Sequence, residues 1–332
     1  MRISQTWWRW LFAVALAGAL AAAACGGGSD SSPSRRQNPN EPTLVGAPSA
    51  SAPNYPIEVR RSDGKTLTVG QAPKRIVSLS PGATEILYAI GAEGQIAAVD
   101  KQADYPDGAK NFPTKVDAFE PNVEAIAALQ PDLVIVASDI NGLVARLDSL
   151  NIPVYFADIN TDIKTVDDVM TQINLLGRVT GHTDQATALL DTLGQRLRAV
   201  KDKVQGINQT TSPKVYHELD STFFTASEGS FVGDLYRTLR ARNIAGDGGG
   251  NPYPQMTQEA IIAANPDVIV LADEEFGVSI DSVKARPGWA NIAAVKNNRI
   301  VAIDPDIVSR PGPRIVDALE QLGKAIYPER FQ

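Results

Sequence analysis

One arrangement of apolar and polar positions occurs twice along the chain. Residues 122–137 align with residues 257–272 without a gap, and each copy begins with a side chain that commonly caps a helix, Asn122 or Thr257. A short amphipathic stretch follows, then a Pro-Asp turn, and then a run of apolar residues that is too short for a core helix and typical of a buried parallel strand. The repeat therefore predicts two α/β lobes of related design.

Further strands and helices alternate before and after the first copy. Residues 57–69 alternate apolar and polar positions around Asp63-Gly64, which predicts a β-hairpin. Residues 75–80 read as a buried strand, and a helix should begin at Pro81 with Ser80 as its cap. The other short strands predicted in this half are residues 96–99, 133–137 and 154–157. Strands that alternate with helices predict parallel sheets, whose ligands lie beyond the carboxyl ends of the strands.

A long helical segment separates the two halves. Residues 166–206 have helical periodicity and no proline, and the pattern breaks near Gly181-His182. The second piece, residues 183–205, would be about 34 Å long at 1.5 Å per residue, which predicts a stiff bridge along a lobe. The second lobe then repeats the scheme with a strand at 214–219, a helix at 231–239, the repeat unit, a strand at 300–303 and a helix at 313–326.

The first part of the chain has the composition of an export signal and a tether. Residues 1–25 start with basic positions and continue into an apolar stretch of about 14 residues, shorter than the roughly 20 that a membrane-spanning helix needs. Cys25, the one cysteine, follows three alanines and resembles the lipidated residue of bacterial lipoproteins, although Ala22 replaces the usual leucine. The alternative is an incidental cysteine beside an ordinary cleavage site. Residues 26–54 are mostly small and polar, which predicts a disordered tether.

These patterns divide the chain into five parts. We expect a signal at 1–25, a tether at 26–54, an N-terminal lobe at 55–160, a bridging helix at 161–210 and a C-terminal lobe at 211–332.

Composition argues against several classes of function. A net charge of −7 with scattered basic residues gives no footprint for nucleic acid. The two histidines, His182 and His217, cannot supply a zinc or manganese cluster, and with Cys25 assigned to the anchor no thiol remains for chemistry. Ser80, directly before a predicted helix, is a candidate hydrolase nucleophile, but no Gly-x-Ser-x-Gly motif surrounds it and a role as helix cap explains it. We therefore expect neither an enzyme, nor a catalytic residue, nor a bound cofactor or metal.

Both copies of the repeat place a carboxylate at the second helical position, Glu124 or Glu259. A single glutamate there can simply stabilise the helix through its dipole. Two at the same place in two lobes form a matched pair of surface charges, which a dimeric partner could grip symmetrically.

Several motifs together resemble the solute-binding proteins of ABC importers for cobalamin, ferric siderophores and haem. The matching pieces are residues 72–85, 104–106, 122–126, 231–235, 253–259 and 312–316, which span nearly the whole folded region. The resemblance implies two α/β lobes bridged by a helix, a ligand cleft between them, and a monomeric, lipid-anchored receptor outside the cytoplasm. It also implies that Glu124 and Glu259 meet arginines of a permease dimer that works with ATPase subunits.

The resemblance is closest to the cobalamin-binding members, through residues 103–106 and 253–255. Those members hold the corrinoid between aromatic side chains, and Phe119 and Tyr253 occupy the corresponding places before Glu124 and Glu259. Other aromatic positions of the family are replaced here by Gln102 and by Ala137 or Ser138. The resemblance therefore implies a cobalamin site with a thinner aromatic cage.

A ferric siderophore is the alternative ligand, and haem is a more distant one. Arg310 would face the cleft and could bind an anionic siderophore, or it could be a surface cation. His217 could reach a haem iron, or it could be a structural strand residue. Phe223 and Phe224 follow a strand, so that one could line the cleft while the other packs. Tyr105 could brace its loop or contact ligand.

Overall fold

The computed structural model of the chain describes residues 54–332, apart from the side chain of Glu275. The signal at 1–25, with Cys25, and the tether up to residue 53 lie outside the described residues. Within the described range, no helix combines the length and the apolar character needed to cross a membrane.

The N-terminal lobe is built on a parallel sheet of five strands. An antiparallel hairpin, β1 (Ile57–Arg60) with β2 (Thr66–Val69), precedes it as predicted. The sheet order is β5-β4-β3-β6-β7, and each pair of neighbours is parallel. Its strands are β3 (Ile76–Leu79), β4 (Ile96–Asp100), β5 (Lys115–Val116), β6 (Leu133–Val136) and β7 (Val154–Phe156). Its helices are α1 (Pro81–Ala89), α2 (Asp107–Lys110), α3 (Val123–Ala128) and α4 (Leu143–Ser149).

The C-terminal lobe has a parallel sheet of four strands in the order β11-β10-β8-β9. Two helices first connect the lobes, α5 (Val166–Thr180) and α6 (Thr183–Lys203). The strands are β8 (Lys214–Glu218), β9 (Arg242–Asn243), β10 (Val268–Leu271) and β11 (Ile300–Ala302). The helices are α7 (Phe231–Thr238), α8 (Gln258–Ala264), α9 (Ile280–Lys284), α10 (Ala293–Lys296), α11 (Pro305–Ser309) and α12 (Ile315–Ile326).

The sequence repeat corresponds to a repeated path through the two sheets. In each lobe the first strand, β3 or β8, is internal, and the next strand along the chain lies on one side of it. The repeat unit then crosses to the other side as α3 and β6, or as α8 and β10. The side chains of Asn122 and Thr257 cap the two helices, accepting hydrogen bonds of 2.9 Å and 3.2 Å from backbone amides. The predicted α/β fold with parallel sheets is therefore confirmed.

The bridge between the lobes is a pair of helices, and the first of them contacts both lobes. Gly181 ends α5 in the left-handed conformation, at the break that the sequence predicts. At the start of α5, the amide of Val166 donates to the Asp234 carboxylate of α7 at 2.9 Å. At its end, the carbonyls of Val179 and Thr180 accept from Tyr55 and Gln95 of the N-terminal lobe, at 2.8 Å and 2.9 Å. The longer helix α6 instead packs on α12, where Arg196 pairs with Asp317 and Glu320.

One apolar core continues through the bridge. A cluster of buried side chains runs from α1 through α5 to α7 and α12, with Ile86, Ile173, Leu235 and Leu319 among its members. Two smaller clusters cover the other face of each sheet. The lobes are therefore joined by shared apolar packing as well as by the chain.

The contact between α5 and α6 is close enough to be tested by adding one methyl group. A Cβ at Gly177 would lie 2.3 Å from the Cβ of Ala186, so Gly177→Ala should lower the free energy of unfolding by about 1–3 kcal/mol through overpacking. Gly194→Ala in α6 is the matched control: its Cβ would meet Arg198 at an ordinary 3.5 Å, so helix propensity should raise stability by about 0.5–1 kcal/mol. Urea unfolding measures both values, and equal stabilisation by the two changes would contradict the packing described.

Candidate ligand-binding site

The carboxyl edges of the two sheets face each other. Arg314, beyond β11, donates to Glu85 of α1 across the lobes at 2.9 Å and 2.6 Å. Beside this pair, a Cβ at Gly82 would lie 2.5 Å from the carbonyl oxygen of Pro311, an approach that only glycine permits. Segments that follow the strands of both lobes therefore meet at the lobe boundary. This boundary is the candidate ligand site, because ligands of parallel sheets bind beyond the carboxyl ends of the strands.

Exposed aromatic side chains are concentrated at these edges. We call the segments after β4, β5, β8, β9 and β10 the rim loops; they are residues 101–106, 117–121, 219–224, 244–256 and 272–278. Of the six large apolar side chains that are exposed among the described residues, five lie in rim loops: Tyr105, Phe119, Phe224, Tyr253 and Phe276. The sixth, Leu150, ends α4. Such a concentration makes these edges the candidate surface for an apolar ligand.

Phe119 and Tyr253 occupy equivalent positions in the two lobes. Phe119 is 62% exposed, and the Asp117 carboxylate organises its loop by accepting from the amides of Phe119 and Glu120 at 2.9 Å and 3.1 Å. The hydrogen bond from Glu120 is the main reason that the pKa of Asp117 is lowered. Tyr253 lies in the connection that leads to α8, where its amide donates to the Asn251 side chain at 2.9 Å.

Phe223 and Phe224 divide the two roles that their positions suggested. Phe223 has a positive φ of 71° and stacks on Trp289 with ring centroids 6.0 Å apart, while Phe224 is exposed. Backbone hydrogen bonds from Thr225 to Pro254 and from Met256 to Phe223 join this loop to that of Tyr253. The half-buried Phe223 therefore packs beneath the loops that carry Phe224 and Tyr253. Its contact with ligand stays a prediction.

Phe276 was missed by the sequence reasoning. It is 76% exposed in the rim loop after β10, and it directly precedes Gly277. The available signal was an aromatic residue in a polar loop immediately after a buried strand, the position at which parallel sheets present ligand contacts.

Tyr105 braces the interlobe contact while part of its ring stays exposed. The Arg314 guanidinium lies 4.1 Å from the centre of the Tyr105 ring, a cation–π distance. Because 47% of Tyr105 remains accessible, this contact leaves surface for a ligand.

Arg310 is engaged by carboxylates. Its guanidinium pairs with Asp104 of the N-terminal lobe and, at 2.6 Å, with Asp306 one helical turn before it. It also donates to the carbonyl of Gln102 at 3.1 Å. Burial, together with Asp104 and against the charge of Arg310, raises the pKa of Asp306 to about 6. Burial opposes ionisation of Asp104 too, but the hydrogen bond and charge of Arg310 hold the pKa of Asp104 below its ordinary value. Asp306 is therefore the acid of this pair that takes up a proton first as the pH falls.

A second charge cluster lies under the C-terminal rim. Glu218, at the end of β8, receives two hydrogen bonds of 2.6 Å and 2.5 Å from Arg286, whose guanidinium lies 4.6 Å from the centre of a Trp289 ring. Asp273, at the end of β10, is completely buried. Burial, followed by the charge of Glu218, raises the pKa of Asp273 to about 7. Asp273 is thus partly protonated near neutral pH.

His217 and Ser80 have structural partners. His217 has no exposed surface, shares a 2.6 Å hydrogen bond with the Tyr236 hydroxyl, and has its pKa lowered to about 4 by burial. A haem iron in the interlobe site would not reach it without rearrangement of the sheet. The Ser80 hydroxyl accepts from the Ala83 amide at 3.2 Å, so its predicted role as a helix cap is confirmed.

Glu124 and Glu259 lie at the second positions of α3 and α8, and both are exposed. Within residues 54–332, neither carboxylate takes part in an ion pair. Both charges are therefore accessible to a partner.

The buried proton of Asp273 predicts a pH dependence of stability. Because folding raises the pKa of Asp273 to about 7, the folded state binds more protons than the unfolded state between about pH 4 and pH 7. The stabilisation is present below pH 4 and is lost as the pH rises through 7. In the unmodified protein this loss lowers the free energy of unfolding by up to about 1.4 kcal/mol per pH unit. Asp273→Asn should remove that slope, which is measured by urea unfolding at a series of pH values. Identical pH profiles for the two proteins would contradict the assignment.

Known proteins share both the sequence and the fold. A family described as periplasmic binding protein matches residues 76–307. An uncharacterized ABC transporter substrate-binding lipoprotein of Bacillus subtilis is 30% identical over 330 residues, covering 97% of this chain and 98% of that protein. The structure is similar to that of a possible iron-binding, periplasmic solute-binding protein from Staphylococcus epidermidis (31% identity, TM-score 0.65, 77% of this chain and 100% of that one). It is also similar to that of the periplasmic vitamin B12 binding protein of Vibrio cholerae (26% identity, TM-score 0.67, 78% and 99%). The chain therefore belongs to the periplasmic binding protein family and is the extracytoplasmic substrate-binding component of an ABC importer.

Proposed function

We propose that the protein binds cobalamin between its lobes and delivers it to the importer. The observation that carries this proposal is the set of exposed aromatic side chains on rim loops of both lobes. A corrinoid is broad and largely apolar, and flat apolar walls with a few polar contacts match it. The Vibrio cholerae relative is described as a vitamin B12 binding protein, which is consistent with this choice.

A ferric siderophore remains the second candidate because the Staphylococcus epidermidis relative is described as iron-binding. An anionic siderophore would need a cation, and Arg310 was the residue expected to supply one. The guanidinium of Arg310 is already bound by Asp104 and Asp306. Because Arg310 is not free to bind an anion, cobalamin is favoured over an anionic siderophore.

Removal of an aromatic ring should weaken cobalamin binding. Phe119→Ala or Tyr253→Ala should raise the Kd for cyanocobalamin at least tenfold, about 1.4 kcal/mol, because each ring covers apolar ligand surface. Calorimetric titration measures the change, with sub-micromolar affinity expected for the unmodified protein.

Leu150→Ala is the matched control, since Leu150 is equally exposed but lies at the end of α4 outside the rim loops. It should leave the Kd unchanged within twofold. Binding of a ferric siderophore alone, lost on Arg310→Ala and indifferent to Phe119→Ala, would replace cobalamin by the second candidate.

We propose further that Glu124 and Glu259 dock on arginines of the permease. Exposed ion pairs contribute about 0–1 kcal/mol to folding, yet charge complementarity governs association and specificity. The double variant Glu124→Gln and Glu259→Gln should therefore abolish uptake into cells, while ligand affinity and melting temperature stay nearly unchanged. Glu58→Gln with Glu329→Gln removes two exposed charges elsewhere and should leave uptake intact. A fall in ligand affinity comparable to the loss of uptake would place the two glutamates in the ligand site instead.

Cys25 is proposed to carry the lipid that anchors the receptor outside the cytoplasm, with residues 26–54 as the tether and 55–160, 161–210 and 211–332 as lobe, bridge and lobe. The Bacillus subtilis relative is described as a lipoprotein, which supports this reading. Cys25→Ser should release the mature protein from the membrane fraction into the soluble fraction. Retention as firm as that of the unmodified protein would refute the anchor.

A further inference from the structure

The arginines around the interlobe site are all held by carboxylates. In residues 272–288 and 303–314, the segments that follow β10 and β11, the three guanidiniums belong to Arg286, Arg310 and Arg314. Arg286 pairs with Glu218 at 2.5 Å, Arg310 with Asp306 at 2.6 Å, and Arg314 with Glu85 at 2.6 Å.

Two of these pairs, those of Arg286 and Arg314, are difficult to break because their acidic partners are buried. The side chains of Glu218 and Glu85 are 0% and 2% exposed, and each guanidinium side chain is 14% exposed. An anionic ligand that captured Arg286 or Arg314 would leave a buried carboxylate without its counter-charge, which is strongly unfavourable.

The acidic groups also outnumber the guanidiniums. Asp104 lies on Arg310 as a second acid, and Asp273 lies beside Glu218. Five carboxyl groups thus surround three guanidiniums, and two of the five, Asp273 and Asp306, are partly protonated near neutral pH. The lysines at the N-terminal rim, Lys101 and Lys115, lie near further acids, Asp117 and Asp100. The charge of these groups together is therefore neutral to negative, and an added anion meets like charge there.

We propose that these carboxylates select ligands by charge, so that the site accepts neutral ligands, such as a macrocycle with an amide periphery, and rejects carboxylate-bearing macrocycles and anionic ferric chelates. The proposal rests on the proposed function in that it places the ligand at the rim loops, but it does not require the ligand to be cobalamin. Discrimination of this kind comes from a repulsive element as much as from the attractive apolar contacts.

Asp104 is the position at which charge selection can be relaxed most simply. It is the more accessible of the two acids on Arg310, with a side chain 48% exposed against 31% for Asp306. Asp104→Asn keeps the shape, removes one negative charge and returns part of the Arg310 guanidinium to the site. Asp317→Asn is the matched control: Asp317 pairs with Arg196 on α6, away from the rim, and its side chain is 39% exposed.

The test is a calorimetric panel of two neutral and two anionic ligands. Cyanocobalamin and ferrichrome, a ferric trihydroxamate, are neutral, whereas haem carries two propionates and ferric enterobactin is a trianion. For the unmodified protein, both anionic ligands should bind at least 100-fold more weakly than the tighter neutral ligand. Asp104→Asn should reduce this ratio at least tenfold, Asp306→Asn should change it in the same direction, and Asp317→Asn should leave it within twofold.

Two results would overturn charge selection. One is an anionic ligand that binds the unmodified protein as tightly as the tighter of the two neutral ligands; the other is a ratio that neither Asp104→Asn nor Asp306→Asn changes while both variants keep their melting temperature. If ferrichrome is bound and cyanocobalamin is not, the cobalamin function fails and charge selection stands. If cyanocobalamin and haem are bound equally well, charge selection fails and the cobalamin function stands.

Discussion

The helix α5 is bonded to the C-terminal lobe at its start and to the N-terminal lobe at its end, and the position of the binding surfaces depends on this helix. Its first amide is held by Asp234, and its last carbonyls are held by Tyr55 and Gln95. A large hinge movement would break hydrogen bonds at one end of α5 and open the apolar core that passes through it. We therefore expect the rim loops of the two lobes to stay at a nearly constant separation, so that the proposed ligand site is largely formed in advance.

The same interlobe contacts that position the site also set its chemistry. Glu85 and Arg314 join the lobes, and Arg314 also lies over the ring of Tyr105. One guanidinium thus contacts both the carboxylate of the other lobe and an exposed aromatic side chain of the rim loops. Asp104 and Arg310 form a second contact between the lobes. Because Arg310 and Arg314 hold the lobes together, their charge is already paired with carboxylates. The proposed preference for a broad apolar ligand and the proposed selection against an anion thus rest on the same interlobe contacts.

Much of the fold could be predicted because local signals agree with tertiary structure. The repeated cap, helix, turn and strand pattern predicted α3 with β6 and α8 with β10, and Gly181 marked the break between α5 and α6. The two-residue strands β5 and β9 gave no such signal, since two residues are too few for a recognisable period. The sequence also favoured the longer helix α6 as the bridge, whereas the shorter α5 contacts both lobes; length along the chain does not reveal which neighbours a helix packs against.

The site was predicted in outline only, because side-chain partners are set by residues that are distant in sequence. Phe119 and Tyr253 could be proposed as ligand contacts through the family resemblance and their spacing to Glu124 and Glu259, and that role stays a prediction. The partners of Arg310 could not, since Asp104 lies 206 residues away along the chain. Phe276 gave a weak local signal in a polar loop, and its exposure becomes meaningful only when the other rim loops are seen beside it.

Amide hydrogen exchange with and without saturating cyanocobalamin tests most directly the claim that one ligand is held between both lobes. Exchange should slow in rim loops of the N-terminal lobe, residues 101–106 and 117–121, and of the C-terminal lobe, residues 219–224, 244–256 and 272–278. The hairpin at 57–69 and the segment around Leu150 should exchange at the same rate in both states. Protection confined to one lobe, protection outside the rim loops, or no protection at all would contradict the interlobe cobalamin site.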